Sequence, residues 1–320
     1  MWTKTNQIVF VVGILLIVAG IYYGSIPKET RLRDQMVDAV ADHDHEAALI
    51  YATKLLKFEP SNAEAQKIIS ESGQIFFYLQ AAKNTLTEFT AGKDDAEVNP
   101  KQLYEQYSKA REFIAKAKMI DPRSIAILNF EENLDKTQAT LIHILSMDVF
   151  ESGQSIVEKA GANYRKTLDI LDVAESSQYL SAFLSHQSAW ATVDTPVEEM
   201  RKQLMPGLDE MDDTGRLIAE YKEGSAKKFT KSLLTYIKVV KRTVDTLLVP
   251  EGSFDEFSKA ASNATIKYKK IRTKLKEATP ESISSKETLL ALLKQIPHFK
   301  VSHDSSVAKI VSENESLYSL

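Results

Sequence analysis

Residues 44–62, DHEAALIYATKLLKFEPSN, carry the clearest structural signal in this 320-residue chain. Their apolar residues recur at intervals of three and four, which is the period of an α-helix. Asp44 is a natural N-cap for that helix, and Pro60 ends it because a residue that precedes proline disfavours the helical conformation. Ser61 or Asn62 can then cap a following helix. The stretch therefore predicts a helix, a turn and a second helix.

The helical period continues on both sides of this stretch. Further helices are predicted near residues 29–41, 62–90, 100–119, 124–160, 163–190, 196–222, 226–248, 253–278 and 283–296. Glycine and proline, which interrupt helices, number only 11 and 9. No segment alternates apolar and polar residues between turn dipeptides as a strand would. The sequence therefore predicts an all-α protein.

The composition excludes several classes of function. The formal net charge is −4, so the chain lacks the overall basic character of most nucleic-acid-binding proteins, and nucleic acid is not a predicted partner. The chain has no cysteine, which excludes disulfides, thiolate metal sites and a cysteine nucleophile.

The N-terminal residues form a long apolar stretch. Residues 8–23 read IVFVVGILLIVAGIYY, without a charge, and these sixteen residues approach the length that spans a bilayer. Aromatic rings favour the headgroup level and are present at both ends. A cleaved signal peptide is the alternative, but it needs a more cationic start and a small-residue cleavage site. We predict a transmembrane anchor at residues 1–24, with the anchoring residues Trp2, Ile8, Phe10, Leu15, Tyr22 and Tyr23.

Two arguments about the orientation of this anchor disagree. Lys28, Arg31 and Arg33 follow it, whereas only Lys4 and the terminal amine precede it, so the positive-inside rule favours a cytoplasmic body. In bacteria, however, a short N-terminal tail before a large body more often accompanies an exported body. We predict a single-pass membrane protein with its body on the extracytoplasmic side, and the cytoplasmic side is the open alternative.

Residues 44–62 resemble the second helix of a tetratricopeptide repeat (TPR). Ala48 lies twelve residues before Pro60, which is the spacing this family uses between a small packing residue and the proline that ends the helix. Leu56 and Phe58 stand at apolar positions, and Tyr51 lies one place before the usual aromatic residue. On one face of the preceding helix, where the family prefers a large apolar residue, glycine and tyrosine, the chain has Leu32, Met36 and Ala39.

A second match lies at residues 110–124, AREFIAKAKMIDPRS. Ala110 again precedes Pro122 by twelve residues, with Ile114 and Ala117 between them. The two prolines are about 62 residues apart, whereas the family repeats every 34 residues. The resemblance covers residues 30–130 and implies helix pairs that pack through small alanines and present a concave surface to partner proteins.

The predicted organisation is therefore an anchor at 1–24, a TPR-like α-solenoid region at 25–130, and a C-terminal bundle of longer helices at 131–320. Beyond residue 130 no repeat is found. The tetrapeptide ESGQ occurs at both 71–74 and 151–154, and we interpret this as coincidence.

The densest cluster of potential metal ligands is Asp42-His43-Asp44-His45. His43 and His45 diverge by about 200° on a helix, whereas ligands on one face need a spacing of three or four. We interpret the cluster as a capped turn. No GxSxG, Walker-type or GxGxxG motif occurs. No catalytic, metal-binding or cofactor-binding residue is predicted, and the chain is not predicted to be an enzyme.

Charge is unevenly distributed in the last 130 or so residues. Residues 194–213 are rich in acidic side chains, and the next helix carries Lys227, Lys228, Lys231, Lys238, Lys241 and Arg242. The candidate partner-binding residues are those of the helix after it: Lys267, Lys269, Lys270, Arg272, Lys274 and Lys276. A solvated helix face is the simplest interpretation. The functional interpretation is a docking stripe for an acidic protein or for anionic lipid headgroups.

Together these features predict a membrane-anchored interaction scaffold, or an assembly factor of a membrane-associated complex. Other proteins are its predicted partners, and the N-terminal helix is predicted to contact the lipid bilayer. A membrane-tethered helical rod that spaces or bundles partners is the first alternative. An enzyme with an unrecognised site is the second.

Overall fold

The computed structural model describes residues 27–90, 98–176, 186–221, 224–249, 254–279 and 285–318. These residues contain ten α-helices: α1 (Lys28–Ala41), α2 (His45–Leu56), α3 (Ala63–Thr90), α4 (Pro100–Ile120), α5 (Ile125–Ser176), α6 (His186–Ala219), α7 (Lys227–Leu248), α8 (Phe254–Ala278), α9 (Ser285–Gln295) and α10 (Ser305–Glu313). Two 3-10 turns follow the last two helices, at Ile296–His298 and Glu315–Leu317. No strand occurs in the described residues, so the prediction of a helical fold class is confirmed there.

Local sequence signals set the starts of several helices. The Asp44 side chain accepts a hydrogen bond from the Ala47 backbone N–H (3.0 Å), and Asn62 accepts one from Ala65 (2.9 Å). Each carboxylate or amide oxygen satisfies a backbone donor that the first helical turn leaves unpaired. Pro100 is the first residue of α4, where its missing N–H costs nothing. The predicted caps at Asp44 and Asn62 are therefore confirmed.

Helix boundaries differ from the predicted ones at three places. Helix α6 begins at His186 and runs without interruption through residues 191–195, where a break was predicted. Helix α5 runs without interruption through residues 161–162, where a break was predicted. Gly161 has low helix propensity, but the buried neighbours Ala160 and Asn163 hold the backbone in the helix. Helix α10 was not predicted. Its nine residues are too few to form a stable helix alone, and packing supplies the stability that periodicity did not indicate.

The prediction of a single-pass membrane protein with one transmembrane helix is corrected by the structure. Among the described residues, no helix combines the length and the apolar character needed to cross a bilayer. In α3 and α5 the longest runs without Asp, Glu, Lys or Arg, residues 72–82 and 137–147, are eleven residues each, against the roughly 20 that a bilayer requires. The transmembrane helix in the predicted fold class and the predicted membrane localisation are therefore both in conflict with the helices that are described. The predicted anchor, with Trp2, Ile8, Phe10, Leu15, Tyr22 and Tyr23, lies outside the described residues.

The described residues divide into two compact units. The first unit comprises residues 27–86, 109–132 and 299–318, and its core includes Met36, Leu55, Leu79 and Phe130. The second unit comprises the described residues of 87–108 and 133–298. Its core includes Tyr104, Leu141, Leu233, Tyr236 and Ile296. The predicted regions 25–130 and 131–320 stay a prediction.

Candidate interaction surfaces

The residues that carry the TPR resemblance lie in the first unit, at contacts between helices or at turns. Fully or almost fully buried are Met36, Ala39, Ala48, Ala110, Ile114 and Ala117. Tyr51 and Leu56 are half-buried, and the two prolines, Pro60 and Pro122, are exposed in turns. Phe58, predicted at an apolar position, is 45% exposed, with the Lys28 ammonium 5.2 Å from its ring centroid. Buried alanines let α1 and α2 approach closely, as the resemblance implies.

The DHDH cluster meets a distant carboxylate in the same unit. His43 Nδ1 and His45 Nε2 both donate to Asp121 Oδ2, at 2.6 and 2.8 Å. The other ring nitrogen of His45, Nδ1, lies within hydrogen-bond distance of Ser72 Oγ, at 2.9 Å. Burial alone would raise the pKa of Asp121, but hydrogen bonds from His45, the Arg123 backbone N–H and His43 outweigh it and lower the pKa to about 2. The network joins the α1–α2 turn, α3 and the α4–α5 turn.

The connectivity Ser72–His45–Asp121 matches that of a catalytic triad, but its surroundings do not. Ser72 is only 1% exposed, so a substrate carbonyl has no approach to its hydroxyl. No group of three or more His, Cys, Asp or Glu side chains in the described residues is arranged to hold a metal ion. The network therefore serves to position three parts of the first unit. Sequence reasoning missed it because Asp121 lies 76 residues beyond His45.

The repeated ESGQ tetrapeptide has a similar structural role at both of its positions. In α3, Gly73 faces the ring of Tyr318, whose hydroxyl donates to the Ile69 carbonyl oxygen at 3.3 Å. In α5, Gly153 faces the ring of Tyr236, whose hydroxyl donates to the Phe150 carbonyl oxygen at 3.1 Å. Both tyrosines are 1% exposed or less, and burial raises both pKa values, that of Tyr318 to about 12. In each ESGQ segment the glycine therefore makes room for a tyrosine ring, and we call this position a tyrosine socket. The interpretation of the repeated tetrapeptide as coincidence stays an interpretation.

Helix α7 presents a continuous cationic face. Lys227, Lys231, Lys238 and Arg242 are all exposed, and they fall within about 60° of one another on a helix of 3.6 residues per turn. The opposite face is apolar and buried, with Leu233, Tyr236 and Val240 at its centre. The helix carries six basic residues and a single acidic one, Asp245. The acidic residues of α7 are therefore too few to neutralise its cationic face.

The predicted partner-binding residues of α8 are split between three directions. Lys267, Lys270 and Lys274 lie within about 60° of one another and are exposed. Lys269 and Lys276, also exposed, point to the other flank, where Lys276 lines a cleft beside α5. The Arg272 guanidinium is half-buried: it donates to Gln154 Oε1 at 2.8 Å and lies 5.8 Å from the Phe150 ring centroid.

Helices α7 and α8 pack against each other, which brings two of these groups of cations to neighbouring helices. The Thr243 hydroxyl lies 3.4 Å from the Ala264 carbonyl oxygen, so this side of α8 is directed to α7. Lys267, one turn after Ala264, and Lys274 flank that side. We name the basic face as Lys227, Lys231, Lys238 and Arg242 of α7 with Lys267, Lys270 and Lys274 of α8.

Described acidic residues of the second unit contact the flank of α7 and the turn before it, and they do not pair with the basic face. Lys241, on the side of α7 that faces α6, forms an ion pair with Asp212. Asp135 of α5 fixes the turn before α7: its carboxylate accepts from the Tyr221 hydroxyl at 2.5 Å and from the Ser225 backbone N–H at 3.0 Å. No cation of the basic face forms an ion pair with a residue that the structure describes.

Two clefts of the second unit are further candidates for a ligand site. One, of about 310 Å³, is lined by Phe150, Gln154, Leu275 and Lys276 among others. The other, of about 280 Å³, contains Asp148, Glu151 and Glu210 with Lys101, which lies 3.1 Å from Glu210. Burial, and then the charges of Glu151 and Glu210, raise the pKa of Asp148. Neither cleft shows a geometry that identifies a reaction.

Comparison with known proteins gives no match: no protein-family model, no curated protein and no solved structure is significantly similar to this chain.

Proposed function

We propose that this chain is a helical interaction protein that binds an acidic segment or surface of a partner protein through its basic face. The observation that supports the proposal is the segregation of charge: seven exposed cations lie on two packed helices, and no described residue forms an ion pair with them. Such a surface attracts anionic partners, although the net charge of the whole chain is −4.

An acidic protein fits this face better than nucleic acid does. Single-stranded nucleic acid binds to basic grooves in which exposed aromatic rings stack on the bases. The aromatic side chains described on α7 and α8 are Phe229, Tyr236, Phe257 and Tyr268, and all four are buried. Lysine also dominates the face, and its flexible ammonium pairs readily with scattered carboxylates, whereas bidentate recognition of phosphate or of base edges favours arginine.

The helix packing of the first unit supports the same class of function. Paired helices that meet through buried alanines, such as Ala48 and Ala52, form stacks whose extended surfaces bind proteins. We propose that this unit is TPR-like and that the protein is a scaffold or an assembly factor. The cationic face would accelerate association and select acidic partners, and the helical stack would provide the contact area.

One observation favours a second candidate, a structural spacer. Helix α5 has 52 residues, which corresponds to about 78 Å at 1.5 Å per residue. A helix of this length can hold two binding partners apart. Small-angle scattering of the purified chain distinguishes the two: a maximum dimension well above the length of α5 supports the spacer, and one close to it argues against the spacer.

The test of the proposed function is charge reversal with a matched control. One variant carries Lys231→Glu, Lys238→Glu, Lys267→Glu and Lys270→Glu. The control reverses four exposed lysines elsewhere, Lys57, Lys159, Lys166 and Lys294, and therefore changes the formal charge by the same amount. Immobilised wild-type chain and both variants are incubated with lysate of the source cells, and retained proteins are identified by mass spectrometry. The expected result is a set of acidic proteins that the wild type and the control retain and the basic-face variant loses.

The leading protein of that set is then purified and titrated with each chain at several salt concentrations. Its affinity should fall as salt rises, because ions screen the pairs between exposed charges. Equal retention by the wild type and the basic-face variant would make the face a solvated surface. Equal loss from both variants would attribute binding to total charge. If the chain bound a labelled oligonucleotide more tightly than it bound this candidate protein, nucleic acid would be the better-supported partner.

A further inference from the structure

Residues 302–318 are attached to the first unit at their two ends. At the start, the Glu46 carboxylate of α2 accepts hydrogen bonds from the Ser302 hydroxyl (2.8 Å) and from the backbone N–H groups of His303 (3.1 Å) and Asp304 (2.5 Å). At the end, Tyr318 occupies the ESGQ socket of α3, where Phe77 lies 6.1 Å from it between ring centroids. The segment therefore covers the face formed by α2 and α3.

Between these ends, α10 binds as an amphipathic helix. Val307, Ile310 and Val311 are buried and α10 contacts α2, whereas Ser306, Lys309 and Ser312 are exposed. The buried positions follow the spacing of three and four that helices use when they bind in a groove. Tyr318 is the seventh residue after Val311 and adds one deep aromatic anchor.

Several features distinguish this segment from the core helices. It begins within a run of six residues without helical structure, 299–304, of which Lys300, His303 and Asp304 are exposed. Helix α10 has nine residues, too few to remain helical alone, so it folds only while it is bound. Its polar anchors to Glu46 lie at exposed positions, where water competes with them. Segments of this kind open at a lower free energy than the core does.

The socket accommodates the Tyr318 ring because Gly73 carries no side chain. A Cβ added at Gly73 would lie 2.0 Å from the Tyr318 hydroxyl oxygen, so the ring is placed directly against the helix backbone. The Ile69 carbonyl oxygen accepts a hydrogen bond from the Tyr318 hydroxyl at 3.3 Å. In the second unit, Gly153 makes room for the ring of Tyr236 in the same way.

We infer that the α2–α3 face is a binding groove for an amphipathic helix that ends in a tyrosine, and that residues 302–318 fill it in cis as a displaceable segment. The partner is a protein with apolar residues at spacings of three and four and a tyrosine about seven residues beyond the last of them. Such a partner competes with the chain's own segment. This groove is independent of the basic face of the second unit.

The experiment measures binding of a fluorescein-labelled peptide of residues 299–320 to the full chain by fluorescence anisotropy. The wild type should bind weakly because its own segment occupies the groove. Tyr318→Ala removes the anchor and should increase the affinity at least tenfold. Adding Gly73→Ala to that variant places a methyl group in the socket and should return binding to the wild-type level or below. Leu317→Ala, at a residue 54% exposed beside the anchor, is the matched control and should bind like the wild type.

Two results would overturn the inference. One is peptide affinity for Tyr318→Ala no higher than for the wild type. The other is an increase that Gly73→Ala leaves unchanged, since binding would then bypass the socket. Where Tyr318→Ala fails to fold, hydrogen exchange of the wild type decides. Amides of 307–313 that exchange faster than those of α2, by local opening, support a displaceable segment, and exchange only with global unfolding refutes it.

Discussion

Asp121 joins two histidines that lie in the turn between α1 and α2, and its charge is needed for that role. Its pKa is lowered from the usual 3.8 to about 2 by hydrogen bonds that outweigh its burial. A lowered pKa in the folded state stabilises the protein above pH 4, and this contribution disappears as the pH falls from about 4 to 2. The size of the contribution is about 2 kcal/mol, from 1.4 kcal/mol per pKa unit.

We therefore expect Asp121→Asn to lower the free energy of unfolding at pH 7 by about 2 kcal/mol and to remove part of the loss between pH 4 and pH 2. Urea unfolding followed by circular dichroism at several pH values measures both effects. Asp42→Asn, an exposed carboxylate of the same turn, is the control and should keep the wild-type pH dependence. Identical slopes for wild type and Asp121→Asn would show that the carboxylate is not linked to folding.

Two glycines of α5 should respond to the same substitution with opposite signs. A methyl group at Gly153 would lie 2.7 Å from the Tyr236 hydroxyl oxygen, and Tyr236 is buried in α7, where it has no room to move. Overpacking there costs roughly 1–3 kcal/mol, and the higher helix propensity of alanine offsets only part of it. At Gly161 nothing lies within 4 Å, so Gly161→Ala should stabilise by roughly 0.5–1 kcal/mol. Thermal melts of both variants check the signs.

At the scale of the element, the turn between α6 and α7 sets where the cationic helix begins. Gly224 has φ of +108°, a conformation that side chains rarely adopt, and an added Cβ would lie 1.9 Å from Asp135 Oδ1. The Tyr221 hydroxyl accepts from the Ala226 backbone N–H at 3.3 Å and donates to that same carboxylate. Burial, and then the bond to Asp135, raise the pKa of Tyr221.

Gly224→Ala should therefore disorder the start of α7 as well as destabilise the second unit. Backbone strain alone costs roughly 1–3 kcal/mol, and the clash displaces Asp135. Hydrogen exchange should show faster exchange at residues 225–231 than in the wild type. Lys228→Ala, at an exposed residue in the first turn of α7, is the control and should change stability by less than about 0.5 kcal/mol. Equal exchange in both variants would show that the turn does not position α7.

At the scale of the whole molecule, the distribution of charge matters more than its sum. The chain has a net charge of −4, yet its basic face carries seven exposed cations. An ion-exchange resin responds to local charge because screening limits interactions to roughly 10 Å at about 0.1 M salt. The wild-type chain should therefore bind a cation-exchange resin at pH 7 and about 0.1 M salt.

The two charge-reversal variants test this directly. The basic-face variant should pass through the column. The control has the same net charge as that variant but should elute close to the wild type. Elution of both variants at the same salt concentration would show that net charge alone controls retention. This measurement needs no partner, so it separates the existence of the face from its biological use.

Local chemistry made much of the helical pattern predictable. Asp44, Asn62 and Pro100 act within a few residues of themselves, and the helices they begin were predicted to within about two residues. The cationic residues of α7 were also visible in the sequence. The sequence did not show which cations of α7 and α8 share the basic face and which, such as Lys269, Lys276 and Arg272, lie elsewhere. Periodicity shows that residues share one face of a helix, but it does not show which neighbour covers that face.

What the sequence by itself determined is therefore the helical class, the helix starts and the amount of charge in each helix. Only the tertiary structure decided that His45 contacts Asp121, that Tyr318 packs against Gly73, and that Arg272 donates to Gln154. The physical reason is range. A cap or a proline acts through covalent neighbours, whereas these contacts join residues 76 to 249 positions apart, and the pairing depends on how all the buried faces pack at once.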